Sequence, residues 1–171
     1  MENKIKKISQ LYGIVNFLVG SNDFFKEYER IETIQSHCAT LPNQRPHYGL
    51  ILRWLDGNYF LHVPVGLSSY LNLKQYADIH TMAIPSCHWL MSIMLSFFET
   101  EPILSYVDSV EKGLYKTYIV LNKDNSIICS NIKISDLACL ITCLDIPFFV
   151  KKSIIEKRKI SVEELREYGK E

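Results

Sequence analysis

The sequence predicts an α+β domain: duplicated strand–helix units around a curved, mostly antiparallel sheet, with an N-terminal helical extension. Three observations predict it. The apolar period switches from helical to alternating near residue 46, then changes back and forth along the chain. Short turn-rich segments join the alternating stretches, as antiparallel hairpins require. A faint repeat is also present. Residues 66–79 align with 133–146, matching Ser68 with Ser135, Leu73 with Leu140, Asp78 with Asp145 and Ile79 with Ile146.

Two helices are expected in the first 45 residues. Ile5, Ile8, Leu11, Tyr12, Val15, Leu18 and Val19 recur at helical spacing over residues 5–19, and Gly20 supplies a stop. Lys4, Lys6 and Lys7 before the apolar run 11–19 faintly resemble a signal peptide. No small-residue cleavage site follows and Asn16 interrupts the run, so an amphipathic helix is preferred. Ser21 or Asn22 can cap a second helix, with Asp23 in its first turn and Phe24, Phe25, Tyr28, Ile31 and Ile34 as its apolar set. Pro42, Asn43 and Pro46 mark a loop.

Residues 48–55 and 58–65 flank Asp56-Gly57, a hairpin signal because a type I′ turn needs positive φ at both central positions. Residues 67–79 read as a helix capped by Ser68 or Ser69. Residues 86–98 read as another, capped by Ser86, with Leu90, Ile93, Met94, Phe97 and Phe98 on a broad apolar face. A three-stranded meander is expected over 103–110, 114–122 and 126–132. A helix at 135–144 and a short strand at 147–150 follow. The tail carries two capping-box signatures, Ser153 with Glu156 and Ser161 with Glu164. The chain thus divides into a helical extension over 1–45, a domain over 46–158 and a C-terminal helix over 159–171.

Composition narrows the function classes. Lys plus Arg equals Asp plus Glu, 19 each, which argues against a protein that wraps nucleic acid mainly by neutralising phosphates. No stretch approaches the roughly 20 apolar residues of a membrane span, so no membrane partner is expected. Cys38, Cys87, Cys129, Cys139 and Cys143 are odd in number and match no disulfide framework or zinc knuckle. Reduced thiols, with those at 129, 139 and 143 buried, point to a cytoplasmic protein.

Several segments resemble one known family. Residues 130–140, with Lys133-Ile134-Ser135-Asp136, and residues 146–150 look like the closing motif of the bifunctional nuclease domain family, an Arg-Pro-Ser-Asp-Ala stretch opening an apolar helix before an Ala-Pro-Ile-Phe-Val-like strand. Pro85-Ser86-Cys87-His88-Trp89-Leu90 resembles its middle motif, Pro-x-Thr-His-Asp-Leu. Residues 113–120 resemble its Gly-x-Phe-Tyr strand, and residues 62–66 the strand and glycine before its first helix. The resemblance spans about 48–157. It implies an α+β fold with a duplicated strand–helix unit and cleavage of DNA and RNA. The chain departs from the pattern where Lys133 replaces Arg, Ile134 replaces Pro, Trp89 replaces the Asp after the motif His, and Cys143 replaces an Arg. An acidic position of the first helix falls on Ser68 or Ser69. Residues 1–45 have no counterpart in the family, whose members open with a strand.

Phosphodiester hydrolysis needs an activated water, charge stabilisation and a leaving-group acid. The candidates are His88, Lys133, Asp136 and Ser135. His88 can be a general base or acid near neutrality. Lys133 can meet a phosphate as a point charge. Asp136 can orient His88 or join a divalent metal. The structural alternatives are an N-cap for Ser135, a helix-dipole partner for Asp136, a packed His88 and a solvated Lys133. Cys139 and Cys143 share a helix face and with Cys87-His88 offer a metal site, against the simpler reading of buried thiols. Tyr48, Trp54, Tyr59 and Phe60 are candidates for base stacking or for core. Lys151, Lys152, Lys157, Arg158 and Lys159 form a phosphate-contacting edge or a solvated face. Two functions compete: a nuclease-like enzyme acting on nucleic acid, and a non-catalytic binding or oligomerisation module whose amphipathic N-terminal arm offers a surface to a partner or a second copy, with a homo-oligomer expected.

Overall fold

Strand pairing begins earlier than the sequence pattern suggests. The computed structural model describes residues 24–39, 45–54, 59–77, 87–124, 126–161 and 163–164. After one helical turn, α1 (Phe24–Glu27), the chain becomes β1 (Tyr28–Ile31) and β2 (Thr33–Ala39). This corrects the second helix expected in the first 45 residues. Tyr28, Ile31 and Ile34 fit a helical spacing, yet Tyr28 and Ile31 are buried because β1 lies antiparallel to β8, Tyr28 opposite Lys151 and Ile31 opposite Phe148. That partner comes from the far end of the chain, so no local pattern announces it. The helix expected over 5–19 lies outside the described residues.

The hairpin and meander form where alternation places them. They are β3 (His47–Arg53), β4 (Tyr59–Pro64), β5 (Glu101–Glu111), β6 (Leu114–Lys123) and β7 (Ser126–Ile132). The β5–β6 turn closes between Glu111 and Leu114, with φ of 50° at Lys112 and 80° at Gly113. Two positive φ values match the right-handed twist of the flanking strands, and glycine takes the second without a Cβ clash. Asp56-Gly57 lies outside the described residues.

Two sheets result. One has the order β1-β8-β5-β6-β7, with β8 (Phe148–Lys151) at its second position; the other has the order β2-β3-β4-β9, with β9 (Lys159–Ser161) at its edge. Among the described residues every pairing is antiparallel except β5 with β8. Only Glu32 separates β1 from β2, and its N–H donates to the Arg53 carbonyl at 2.8 Å, so one run of chain joins the sheets. The fold is α+β and mostly antiparallel, as expected.

The faint repeat has a structural counterpart. β2-β3-β4 followed by α2 (Leu67–Ala77) has the order of β5-β6-β7 followed by α4 (Ile134–Leu144). Both helices have 11 residues, and they begin one residue after the aligned Gly66 and Lys133. Helix α3 (Cys87–Phe97) stands between the two units in sequence, and α4 contacts both α2 and α3. Leu137 and Leu140 of α4 join Leu50, Leu52, Leu61, Val63, Val107, Phe148 and Val150 in one apolar cluster. Burial on this scale, about 1.5–3 kcal/mol per large side chain, outweighs local preferences.

Such an override sets the start of α4. Ser135, expected as the N-cap, is the second helical residue and fully buried; the cap is Lys133, in extended conformation with no side-chain cap bond. Ile134 is buried as the first helical residue, which draws the helix start one step upstream of the serine. The helix stops at Asp145, whose φ of 52° and ψ of 45° form a left-handed C-cap.

The tail also differs from expectation. α5 (Lys152–Arg158) begins before Ser153, so the Ser153–Glu156 capping box does not form. Residues 159–161, expected as helix, are strand β9, because Ile160 and its neighbours find the open edge of β4. The second box does form: the Ser161 N–H donates to Glu164 Oε2 at 2.6 Å and the Glu164 N–H to Ser161 Oγ at 3.2 Å.

Candidate functional site

Helices α3 and α4 come from distant parts of the sequence and lie side by side. His88 is the second residue of α3 and Asp136 the third of α4. Their side chains meet where the helices start: His88 Nε2 is 3.5 Å from Asp136 Oδ1. The imidazole is buried, 5% exposed, whereas the Asp136 side chain is 48% exposed. The carboxylate therefore lies between the ring and solvent. The first turn of α4 also favours a negative charge at Asp136.

On the other side of the ring, Cys87 Sγ is 3.7 Å from His88 Nδ1, and Cys87 is exposed. A thiol and a carboxylate thus flank the two ring nitrogens. A ring proton on Nε2 would point towards Asp136 and leave Nδ1, beside Cys87 Sγ, as the acceptor nitrogen. Such a carboxylate–imidazole pair can hold the ring in one orientation.

Of the four predicted residues, His88 and Asp136 come together. Ser135 is adjacent to Asp136 in sequence, but its Oγ has no hydrogen-bond partner among the described residues. An orphaned buried hydroxyl costs about 1–3 kcal/mol. Lys133 is exposed at the start of α4. Cys139 is buried, which pushes its thiol up to about 12, and the nearby Asp136, Cys143 and Cys87 raise it further by smaller amounts. Among the described residues no three His, Cys, Asp or Glu side chains are grouped to hold a metal ion. Cys139, Cys143 and Cys87-His88 therefore do not assemble a metal site of three or more ligands.

Other predicted candidates move into structural roles. Trp54 and Phe60 are buried, and Tyr48 packs against Tyr70 with centroids 4.9 Å apart. Of the hairpin aromatics, Tyr59 stays exposed, with Lys159 Nζ 5.1 Å from its ring centroid. The basic stretch is largely paired: Lys151 with Asp108 at 3.2 Å, Lys152 with Glu29 at 3.7 Å, Lys159 with Glu156 at 2.9 Å, and Arg158 over Tyr115 at 5.8 Å. A phosphate-contacting edge would have to give up those partners. Cys129, expected buried, is exposed on β7, its Sγ 3.7 Å from the Tyr106 hydroxyl.

Two polar clusters were not anticipated. Asp108 accepts from the Tyr28 hydroxyl at 2.7 Å and from Lys151 at 3.2 Å. Burial alone would raise the Asp108 carboxyl, but these two donors overcome it and hold it below the usual carboxylate range. The second cluster joins His37 and His62, whose rings meet edge to face at 5.8 Å. Burial lowers both, and His37 lowers His62 further. Strand pairing makes both clusters, so neither leaves a local sequence signal.

No protein-family model matches this sequence, and no curated protein matches it. Among the described residues no helix is long and apolar enough to cross a membrane.

Proposed function

We propose that this chain is a divergent bifunctional-nuclease-like domain that hydrolyses phosphodiester bonds of DNA or RNA at the His88–Asp136 pair. One observation carries the reading: the imidazole and carboxylate of the two best-resembling motifs approach to 3.5 Å across the starts of α3 and α4. In this reading His88 moves the proton of the attacking water or of the leaving oxygen. Asp136 orients the ring and balances its charge. Lys133, exposed at the same helix start, supplies a cation towards the phosphate as a point charge, without the bidentate fit of Arg.

The test is cleavage of labelled single- and double-stranded DNA and RNA, with and without Mg²⁺ or Mn²⁺. His88→Ala and Asp136→Asn are expected to lower the rate by roughly 10²–10⁴-fold, the usual contribution of acid–base catalysis. Absence of cleavage by the wild type, or cleavage by both variants at the wild-type rate, defeats the proposal.

A second reading, a non-catalytic binding or oligomerisation module, has its own support. Helix α3 leaves Leu90, Met91, Ile93, Met94 and Phe97 exposed, and Phe98 just after it is exposed as well. Such a face is typical of interaction surfaces.

A further inference from the structure

Helices α3 and α4 are equally long, and both are apolar around most of their circumference. A helix of that composition belongs in an interior. Helix α4 meets the expectation, since six of its first seven residues are buried. Helix α3 does not. Residues 87–98 contain no Asp, Glu, Lys or Arg, yet Leu90 is 54% exposed, Met94 47%, Phe98 49% and Phe97 79%.

We infer that this face of α3 is the contact surface of a symmetric homodimer, with α3 packed on α3 of a second copy. Four observations select that occupant. First, six large side chains at 42–79% exposure leave on the order of 600 Å² of apolar surface per protomer, near the ~800 Å² each partner contributes to a standard interface. Second, the face carries no charge. A membrane-surface helix needs Lys or Arg on its polar side, and nucleic acid needs cations against phosphate. A second copy brings an equally uncharged surface and leaves no ion desolvated.

Third, the face holds a knob and a hollow together, as a two-fold contact requires. An open hollow of about 450 Å³ is lined by Ser92, Ile93, Ser96, Phe97 and Leu144. Phe97 of the opposite copy, 79% exposed, is the protruding group that can enter it. Fourth, the polar groups at that spot suit an apolar contact. Ser96 Oγ donates to the Ser92 carbonyl at 3.2 Å, so its hydroxyl is satisfied within the helix. Two small side chains one turn apart also let helices approach closely. Lys123, with Nζ 5.5 Å from the Phe98 centroid, marks a charged rim. The inference stands independently of the nuclease reading.

The test is sedimentation equilibrium of the full chain, with light scattering over a concentration series. The wild type is expected at twice the 19.9 kDa chain mass at tens of micromolar. Phe97→Glu and Met94→Glu put a charge into the contact and are expected to weaken the dimer by roughly a hundredfold or more, with circular dichroism unchanged. Leu71→Glu, at a 52% exposed position of α2, is the control and leaves the mass unchanged. Overturning results are a wild type that stays monomeric throughout, including one whose α3 is covered by its own residues 1–23 or that binds lipid vesicles instead. A dimer that Phe97→Glu does not weaken overturns the inference equally.

Discussion

Replacing Gly49 with alanine tests the packing of the four-stranded sheet, and its effect should change sign with the residue at position 62. Gly49 lies on β3 between His37 of β2 and Pro64 of β4. The His62 ring crosses above it. A Cβ at Gly49 would stand 2.0 Å from His62 Nε2, 2.8 Å from Cδ2 and 2.9 Å from Cε1. Carbon contacts settle near 3.5–4.0 Å, so the imidazole must retreat by roughly 1.5 Å. The neighbouring His37 ring, 5.8 Å away and edge-on, restricts that retreat. Overpacking of this kind costs about 1–3 kcal/mol. Alanine in a strand regains roughly 0.5–1 kcal/mol of backbone entropy over glycine. The net expectation is a loss of about 0.5–2 kcal/mol, or a few degrees in Tm for a chain of this size. With His62→Ala as background the obstacle is gone, and the same change should stabilise by roughly 0.5–1 kcal/mol. Urea unfolding of the four proteins of this double-mutant cycle measures the coupling, expected at roughly 1–3 kcal/mol. An identical effect of Gly49→Ala in both backgrounds would refute the reasoning.

Two further outcomes follow from the environments of titrating groups. His37 and His62 titrate below their ordinary value in the folded chain, so at mildly acid pH the unfolded chain binds more protons. Their contribution is complete above about pH 6.5 and is lost as pH falls through that value towards the folded pKa values. The urea midpoint should therefore drop between about pH 7 and pH 5, and drop less in His37→Gln/His62→Gln; equal drops would contradict the assignment. Cys139 should resist iodoacetamide at about pH 8, where exposed Cys38, Cys87 and Cys129 react, because its thiol is buried and raised to about 12. Peptide mass mapping after brief alkylation reads all of these in one sample, and rapid labelling of Cys139 in folded protein would count against its burial.

Much of the fold was legible because its signals are local. The meander β5–β6–β7 lies close to where alternation and turn residues place it, and the β5–β6 turn takes positive φ at both Lys112 and Gly113. Helices α2, α3 and α4 begin within a residue of their expected starts. Errors arose where a distant partner decided. Tyr28 and Ile31 have a helix-compatible spacing but become strand because β8 offers an edge. Residues 159–161 become strand because β4 does. Ser135 has the chemistry of a cap and loses that place because Ile134 has the stronger tendency to be buried.

The candidate site divides in the same way. Residue type and motif context single out His88 and Asp136, but their 3.5 Å approach exists only because α3 packs along α4. The sequence by itself determined the α+β class, the duplicated strand–helix order and the apolar character of both helices, since each follows from short-range periodicity and turn chemistry. Tertiary structure alone decided that α4 is enclosed while α3 is left open, that most of the tail's cations stand beside acidic or aromatic side chains, and that β1 and β9 complete the sheets. Those outcomes depend on contacts between residues far apart in the chain, where burial and long-range pairing outweigh the few tenths of a kcal/mol that local propensity supplies.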